Sequence, residues 1–131
     1  MMNRGHQPRG ELSLRTVAMR ADTNPSGDIF AGWIISQMGL AADVAAGAHA
    51  KGRIATASVS NLNFLQPVKV GDVVCIYTEM TKTGRTSITV GVEAYALRRN
   101  LGSTYVRVTA AEFVMVAVDE EGLPRALAVA A

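Results

Sequence analysis

Residues 21–47 read ADTNPSGDIFAGWIISQMGLAADVAAG, and the fold turns on this stretch. Its first part is loop chemistry. Asp22, Asn24, Pro25, Ser26 and Gly27 fall within six residues, all of them types that favour turns or bond to nearby backbone. From about Asp28 to Ala46 there is no proline, and the spacing predicts one helix. At about 100° per residue, Phe30, Ile34, Met38, Ala41 and Ala45 share an apolar face. Gly32, Ser36, Gly39 and Asp43 fall opposite, a narrow stripe where another backbone or a ligand can come close. Everything else reads as a sheet that holds this helix.

Upstream, Leu12–Met19 alternates as a first strand, after a polar and loose tail over residues 1–10. Downstream, AHAKG ends the helix after Gly47 and leaves His49 in a solvated loop. From Arg53 the period becomes two, and residues 53–65 form an apolar-leaning strand with many small side chains. Pro67 then breaks the ladder and Gly71-Asp72 turns the chain. Strands follow at residues 73–81 and 86–97, joined by KTGR, where Gly84 suits positive φ. A polar loop holding Arg98 and Arg99 leads to a long strand over residues 104–118. The order predicts a single α+β domain over 1–131: a five- to six-stranded antiparallel sheet around one helix, three strands in meander succession. Such a sheet has open edges, which a second copy is expected to cover.

With 131 residues, 49% apolar and 18% charged, the chain can bury a real core and is not expected to be disordered. No apolar run approaches a membrane span, and the N-terminal MMNRGHQPRG has no hydrophobic signal core, so a cytoplasmic protein is expected. The single cysteine, Cys75 in DVVCIY, suits a reducing compartment and a buried core position. A net charge of +2 is compatible with an anionic small ligand and too weak to argue for nucleic acid. His6 and His49 stand in no ligand spacing, so no metal site and no Ser-His-Asp triad can be assembled; Ser36 has no partner base.

The runs LRTVAM, ADTNPSGDIFAGWIISQM, FLQPVKVGDVV, GRTSI and AEFVMVAVDEEGLPRAL resemble the bacterial YciA-type acyl-CoA thioesterases, from about Leu12 to Leu127. The resemblance implies the hot-dog fold, in which the sheet wraps one long central helix. It also implies hydrolysis of acyl-CoA to free acid and CoA, at a dimer interface within a homo-oligomer, a hexamer built as a trimer of dimers. Coenzyme A enters as part of the substrate, with no metal or other cofactor; no nucleic-acid or membrane partner is expected. Thioester hydrolysis needs a polarised carbonyl and an activated water or carboxylate. Gly32, at the helix start, can present its N–H to the carbonyl oxygen. Asn24 resembles the family asparagine that positions water or substrate. The remaining group is a carboxylate on the opposing subunit's helix.

Here the chain departs from the family. The pattern expects aspartate directly after SQM, where this chain has Gly39. Asp43 is the nearest helical acid, about 6 Å further along the axis and close to the expected helix end. It is either a displaced base or a surface or interface carboxylate. Arg98 and Arg99 resemble the basic loop near the CoA phosphates. Gly84, Arg85, Thr86 and Ser87 line the pantetheine channel or form an ordinary hairpin turn. Trp33 belongs to the core or to the acyl pocket, Asp28 caps the helix, and Asp22 and Asp72 read as turn residues. A protein that binds acyl-CoA but lacks the base is the alternative to a hydrolase. A hot-dog dehydratase is disfavoured because no histidine lies on or just before the helix, and a structural scaffold is the fallback.

Overall fold

A computed structural model of the chain describes residues 7–98 and 104–127. Strand β1 (Glu11–Val17) is followed by a short 3₁₀ turn at Arg20–Asp22, helix α1 (Ala31–Ala50), and strands β2 (Ile54–Phe64), β3 (Val73–Thr83), β4 (Ser87–Arg98) and β5 (Thr104–Ala117). The five strands form one antiparallel sheet in the order β1-β3-β4-β5-β2. The meander is therefore β3-β4-β5, and α1 packs across all five strands.

Period two explains the face that meets the helix. Val74 and Ile76 of β3, Ile88, Val90 and Val92 of β4, and Val108, Phe113 and Met115 of β5 are buried against Ile34 and Met38 of α1. Each such side chain contributes about 1.5–3 kcal/mol by leaving water. Behind Met38 the helix turns to alanine: Ala41, Ala42, Ala46 and Ala50 are buried, which lets α1 lie close to the sheet.

The helix runs three residues later at its start and four at its end than the spacing predicted. Phe30 is not on the buried face. It is the N-cap with extended ψ of 131°, and its side chain is 57% exposed. Asp28 does not cap the helix; its Oδ1 accepts from Lys69 Nζ at 2.5 Å in an exposed ion pair worth under about 1 kcal/mol. At the other end His49 is helical, though exposed. Lys51 takes the left-handed conformation (φ 54°) that closes the helix, with its N–H on Gly47 O. Arg125 donates to Ala50 O at 3.2 Å, a cation set against the negative end of the helix.

Of the tail expected to be loose, residues 1–6 lie outside the described residues, but Arg9 and Gly10 are anchored. Arg9 N–H donates to Glu93 Oε1, and Gly10 (φ 85°) passes so near Thr78 O that a side chain would collide with it. Gly84 does not adopt positive φ; a Cβ there would lie 2.8 Å from Ser87 Oγ, so close packing is the reason for glycine. Strand β2 differs most from expectation. Only Ile54 and Leu62 are half-buried and the rest is exposed, with Asn61 at φ 57° beside a register shift. An exposed strand at the sheet edge is an unpaired template.

Candidate active site at the start of the helix

The loop before α1 is closed on itself by Asn24. Its N–H donates to Asp28 O at 2.7 Å, and its carbonyl accepts from Gly27 N–H at 3.0 Å. The side-chain Oδ1 accepts from Ser26 N–H at 2.9 Å and Asp28 N–H at 3.1 Å. Two backbone donors on one atom assign it as oxygen. The amide NH₂ of Asn24 has no partner among the described residues and remains available as a donor.

Two backbone bonds fix the end of this loop, one to the β2–β3 connector and one to the 3₁₀ turn, and a third opens the helix. Ile29 N–H donates to Val68 O at 3.0 Å, Phe30 N–H to Asp22 O at 2.8 Å, and Phe30 O accepts from Trp33 N–H at 3.0 Å. The N–H groups of Ala31 and Gly32 have no acceptor among the described residues. They sit where the helix carries its partial positive charge. Beside them lies a cleft of about 400 Å³, lined by Ala21, Asp22, Thr23, Phe30, Gly32 and Trp33. Trp33 is half-buried and packs on the core, so it both supports the helix and lines the cleft.

The stripe of small residues runs from this point along α1 towards strand β2. A Cβ at Gly39 would have one neighbour within 4 Å, Phe113 Cε2 at 3.9 Å, and one at Gly47 would meet Ile54 of β2 at 4.0 Å. Phe113 lies on β5 between Val59 of β2 and Val90 of β4, so Gly39 sits over β5, and the stripe reaches the exposed edge strand at Gly47. Asp43 is exposed and makes no hydrogen bond or ion pair among the described residues. Because α1 continues to Ala50, Asp43 is nearly two turns from its end, beyond the reach of an end effect confined to the last turn. The helix dipole therefore does not disfavour an anion at Asp43.

The residues read from sequence as substrate contacts separate into two places. Arg98 is near the helix start but is engaged by the fold: its Nε donates to Asp72 Oδ2 at 3.2 Å and its Nη2 to Pro67 O. Its side chain is 13% exposed, which fits a structural clasp better than a free phosphate-binding arm. Arg99 lies outside the described residues. Gly84, Arg85, Thr86 and Ser87 form the β3–β4 turn, where Ala117 N–H donates to Thr86 O and Leu127 N–H to Arg85 O. That turn is at the helix-end side of the sheet. Along β4, Ser87 and Arg98 are roughly 35 Å apart at the strand rise per residue. Sequence reasoning missed Phe30, read as core, and Asp72, read only as a turn. Its burial at 4% exposure, with Arg98 as its partner, had no local signal.

Among the described residues no group of three or more His, Cys, Asp or Glu side chains is placed to hold a metal ion, and no helix is long and apolar enough to cross a membrane.

An antiparallel sheet laid around one long helix, with a cleft at the helix start, defines a hot-dog domain. Residues 26–103 match the thioesterase superfamily model. The chain is 46% identical to the acyl-CoA thioester hydrolase YciA of Salmonella typhimurium, over 98% of both proteins. It superposes on a hexameric thioesterase from Yersinia pestis with a TM-score of 0.89 and 47% identity, covering 95% of this chain and all (100%) of that one. On a hexameric hotdog fold thioesterase of Campylobacter jejuni the TM-score is 0.86, at 38% identity and 91% coverage of each chain. The chain belongs to the thioesterase superfamily, among the YciA-type acyl-CoA thioester hydrolases.

Proposed function

We propose that this protein, as a single hot-dog domain, hydrolyses acyl-CoA thioesters at the start of α1, in a site completed by a second copy. The observation that carries the reading is the pair of unpartnered N–H groups at Ala31 and Gly32 beside the tethered Asn24. The thioester carbonyl oxygen sits against those donors; one such donor is worth about 10²–10³ in rate. Asn24, fixed through Oδ1, offers its NH₂ to the attacking water or the substrate. Water adds to the carbonyl carbon, the C–S bond breaks, and CoA leaves as thiolate, taking up a proton from solvent or the base. No step calls for a metal.

The base is the group in question. Helix α1 holds one acid, Asp43. The stripe it shares with Gly39 faces the exposed β2 edge, so a second copy seated on that edge faces both positions. We assign Asp43 as the displaced base, acting across that interface. The hexameric relatives support a trimer of such dimers. The Gly84–Ser87 turn reaches a substrate at the helix start only from another copy, and Arg99 is the better candidate for the CoA phosphates than the engaged Arg98. A cytoplasmic site of action fits the lone, buried Cys75.

The test is steady-state thiol release across acyl chain lengths, on the wild type and on Asp43→Asn. The expected result is measurable hydrolysis that falls at least about tenfold in the variant, less than the roughly 10²–10⁴ of a well-placed general base because Asp43 is displaced. Unchanged hydrolysis in Asp43→Asn would remove Asp43 from the mechanism. The second reading, an acyl-CoA binder without a base, is favoured by Gly39 alone. It predicts tight binding with no turnover in either protein.

A further inference from the structure

We infer that Phe30 sets the acyl-chain selectivity of the cleft, a role that rests on the thioesterase reading of the site. A large aromatic side chain at the helix N-cap, 57% exposed, is an unusual choice where Ser, Thr, Asp or Asn would bond the free N–H groups. Its backbone is held at both faces of the turn, by Asp22 O on its N–H and by the N–H of Trp33 and Ile34 on its carbonyl. Its ring is held too. It lies against the Gly32 backbone so closely that a Cβ there would be 2.5 Å from Cε2 and 3.0 Å from Cδ2. Glycine at position 32 leaves the ring this place, and a side chain there would push it aside.

Two consequences meet at one place. The ring forms a wall of the 400 Å³ cleft opposite Asp22 and Thr23 and beside Trp33. The same ring covers backbone adjoining the Gly32 N–H, and excluding water there strengthens any hydrogen bond that donor makes to a bound carbonyl. An acyl chain whose carbonyl sits on that N–H runs along the cleft, and a chain long enough to reach the ring gains or loses contacts there that a shorter one does not make. Apolar walls discriminate by about ten- to two-hundredfold per methylene gained or lost, so one ring can set the preferred length.

The decisive measurement is binding of free CoA and of S-alkyl-CoA thioethers of four to sixteen carbons, which are not hydrolysed, to the full-length wild type and to Phe30→Ala. The thioethers report the acyl wall whether or not the base is competent. The expected result is unchanged affinity for free CoA with at least a tenfold change in the ratio of short to long thioether affinities. The same ratio should move in kcat/KM for the matching thioesters. A second pair guards against simple misfolding: Gly32→Ala is expected to lower Tm in the wild-type background and to be tolerated in the Phe30→Ala background, where the ring is gone. If thioethers bind the wild type and the length profile is the same in Phe30→Ala, the selectivity role is overturned while the thioesterase reading stands. If neither CoA nor any thioether binds the wild type, that reading fails and takes this role with it.

Discussion

Gly39→Asp is expected to raise acyl-CoA turnover by about 10²–10⁴, the range a positioned general base contributes, with KM changed only a few-fold. Three features of the position argue for so large a gain. There is room at the branch point: a Cβ at residue 39 makes one ordinary contact, with Phe113 Cε2 at 3.9 Å. The backbone accepts it, since Gly39 lies inside α1 and aspartate is slightly better than glycine in a helix interior. Direction also favours it, because the stripe that holds Gly39 runs on to β2 at Gly47, the edge on which the proposed second copy is seated. Asp43 is one helical turn, about 6 Å, away, and a misplacement of even 1 Å can cost on the order of a hundredfold. Thiol-release kinetics of the wild type, Gly39→Asp and the double variant with Asp43→Asn resolve the assignment. If the gain persists without Asp43, the restored acid is sufficient. A wild type already fast, with no gain at position 39, would show that another group has taken over the chemistry completely.

The helix and the strands were legible because their periods are strong and local. Ile34, Met38 and Ala41 recur at helical spacing, and β3 to β5 carry strand-length apolar runs that reach the core. The errors arose where a distant residue decides the outcome. Phe30 matched the apolar face by angle, but the helix starts one residue later, so its ring leaves that face and settles on Gly32. The helix outlasted its expected end because Arg125, seventy-five residues beyond Ala50, bonds its last carbonyl, and because Lys51 accepts the left-handed turn usually given to glycine. Strand β2 was read as an apolar-leaning strand, yet at the sheet edge its apolar Val59 and Phe64 are exposed in one chain along with Thr56 and its serines and asparagines. The DTNPSGDIFAGW run put Asn24 in the loop and Gly32 at the helix start, where the structure has them; their catalytic roles are the proposal made above. The separation of Arg98 from the Gly84 turn was not legible, because it depends on which end of a twelve-residue strand each occupies.

Asp72→Ala is expected to cost about 3–5 kcal/mol of stability, the usual penalty for leaving one partner of a buried ion pair uncompensated. In a chain of this size that corresponds to a fall in Tm of roughly 10–20 °C. Asp72 is 4% exposed, and its Oδ2 accepts both Lys69 N–H at 2.9 Å and Arg98 Nε at 3.2 Å. Its removal strands an arginine side chain that is itself 13% exposed. The damage should also reach the active site through the backbone. Asp72 O accepts from Ala18 N–H at 3.0 Å, and Gly71 N–H donates to Ala18 O at 2.8 Å, fixing the exit of β1. The chain then passes through the 3₁₀ turn to Asp22, whose carbonyl holds Phe30. Arg98 in turn grips Pro67 O, one residue before the Val68 carbonyl that holds Ile29. One carboxylate therefore stands beneath both attachments of the loop proposed to carry the carbonyl donors. Asp72→Asn is the informative companion, since its amide oxygen can still accept Lys69 N–H while the ion pair is lost. Chemical denaturation should rank wild type above Asp72→Asn above Asp72→Ala. In Asp72→Asn, assayed well below its melting temperature, kcat should fall more than affinity for free CoA, because the loosened element carries the carbonyl donors. Loss of less than about 1 kcal/mol in Asp72→Ala would mean that solvent reaches the pair and that the loop stands without it.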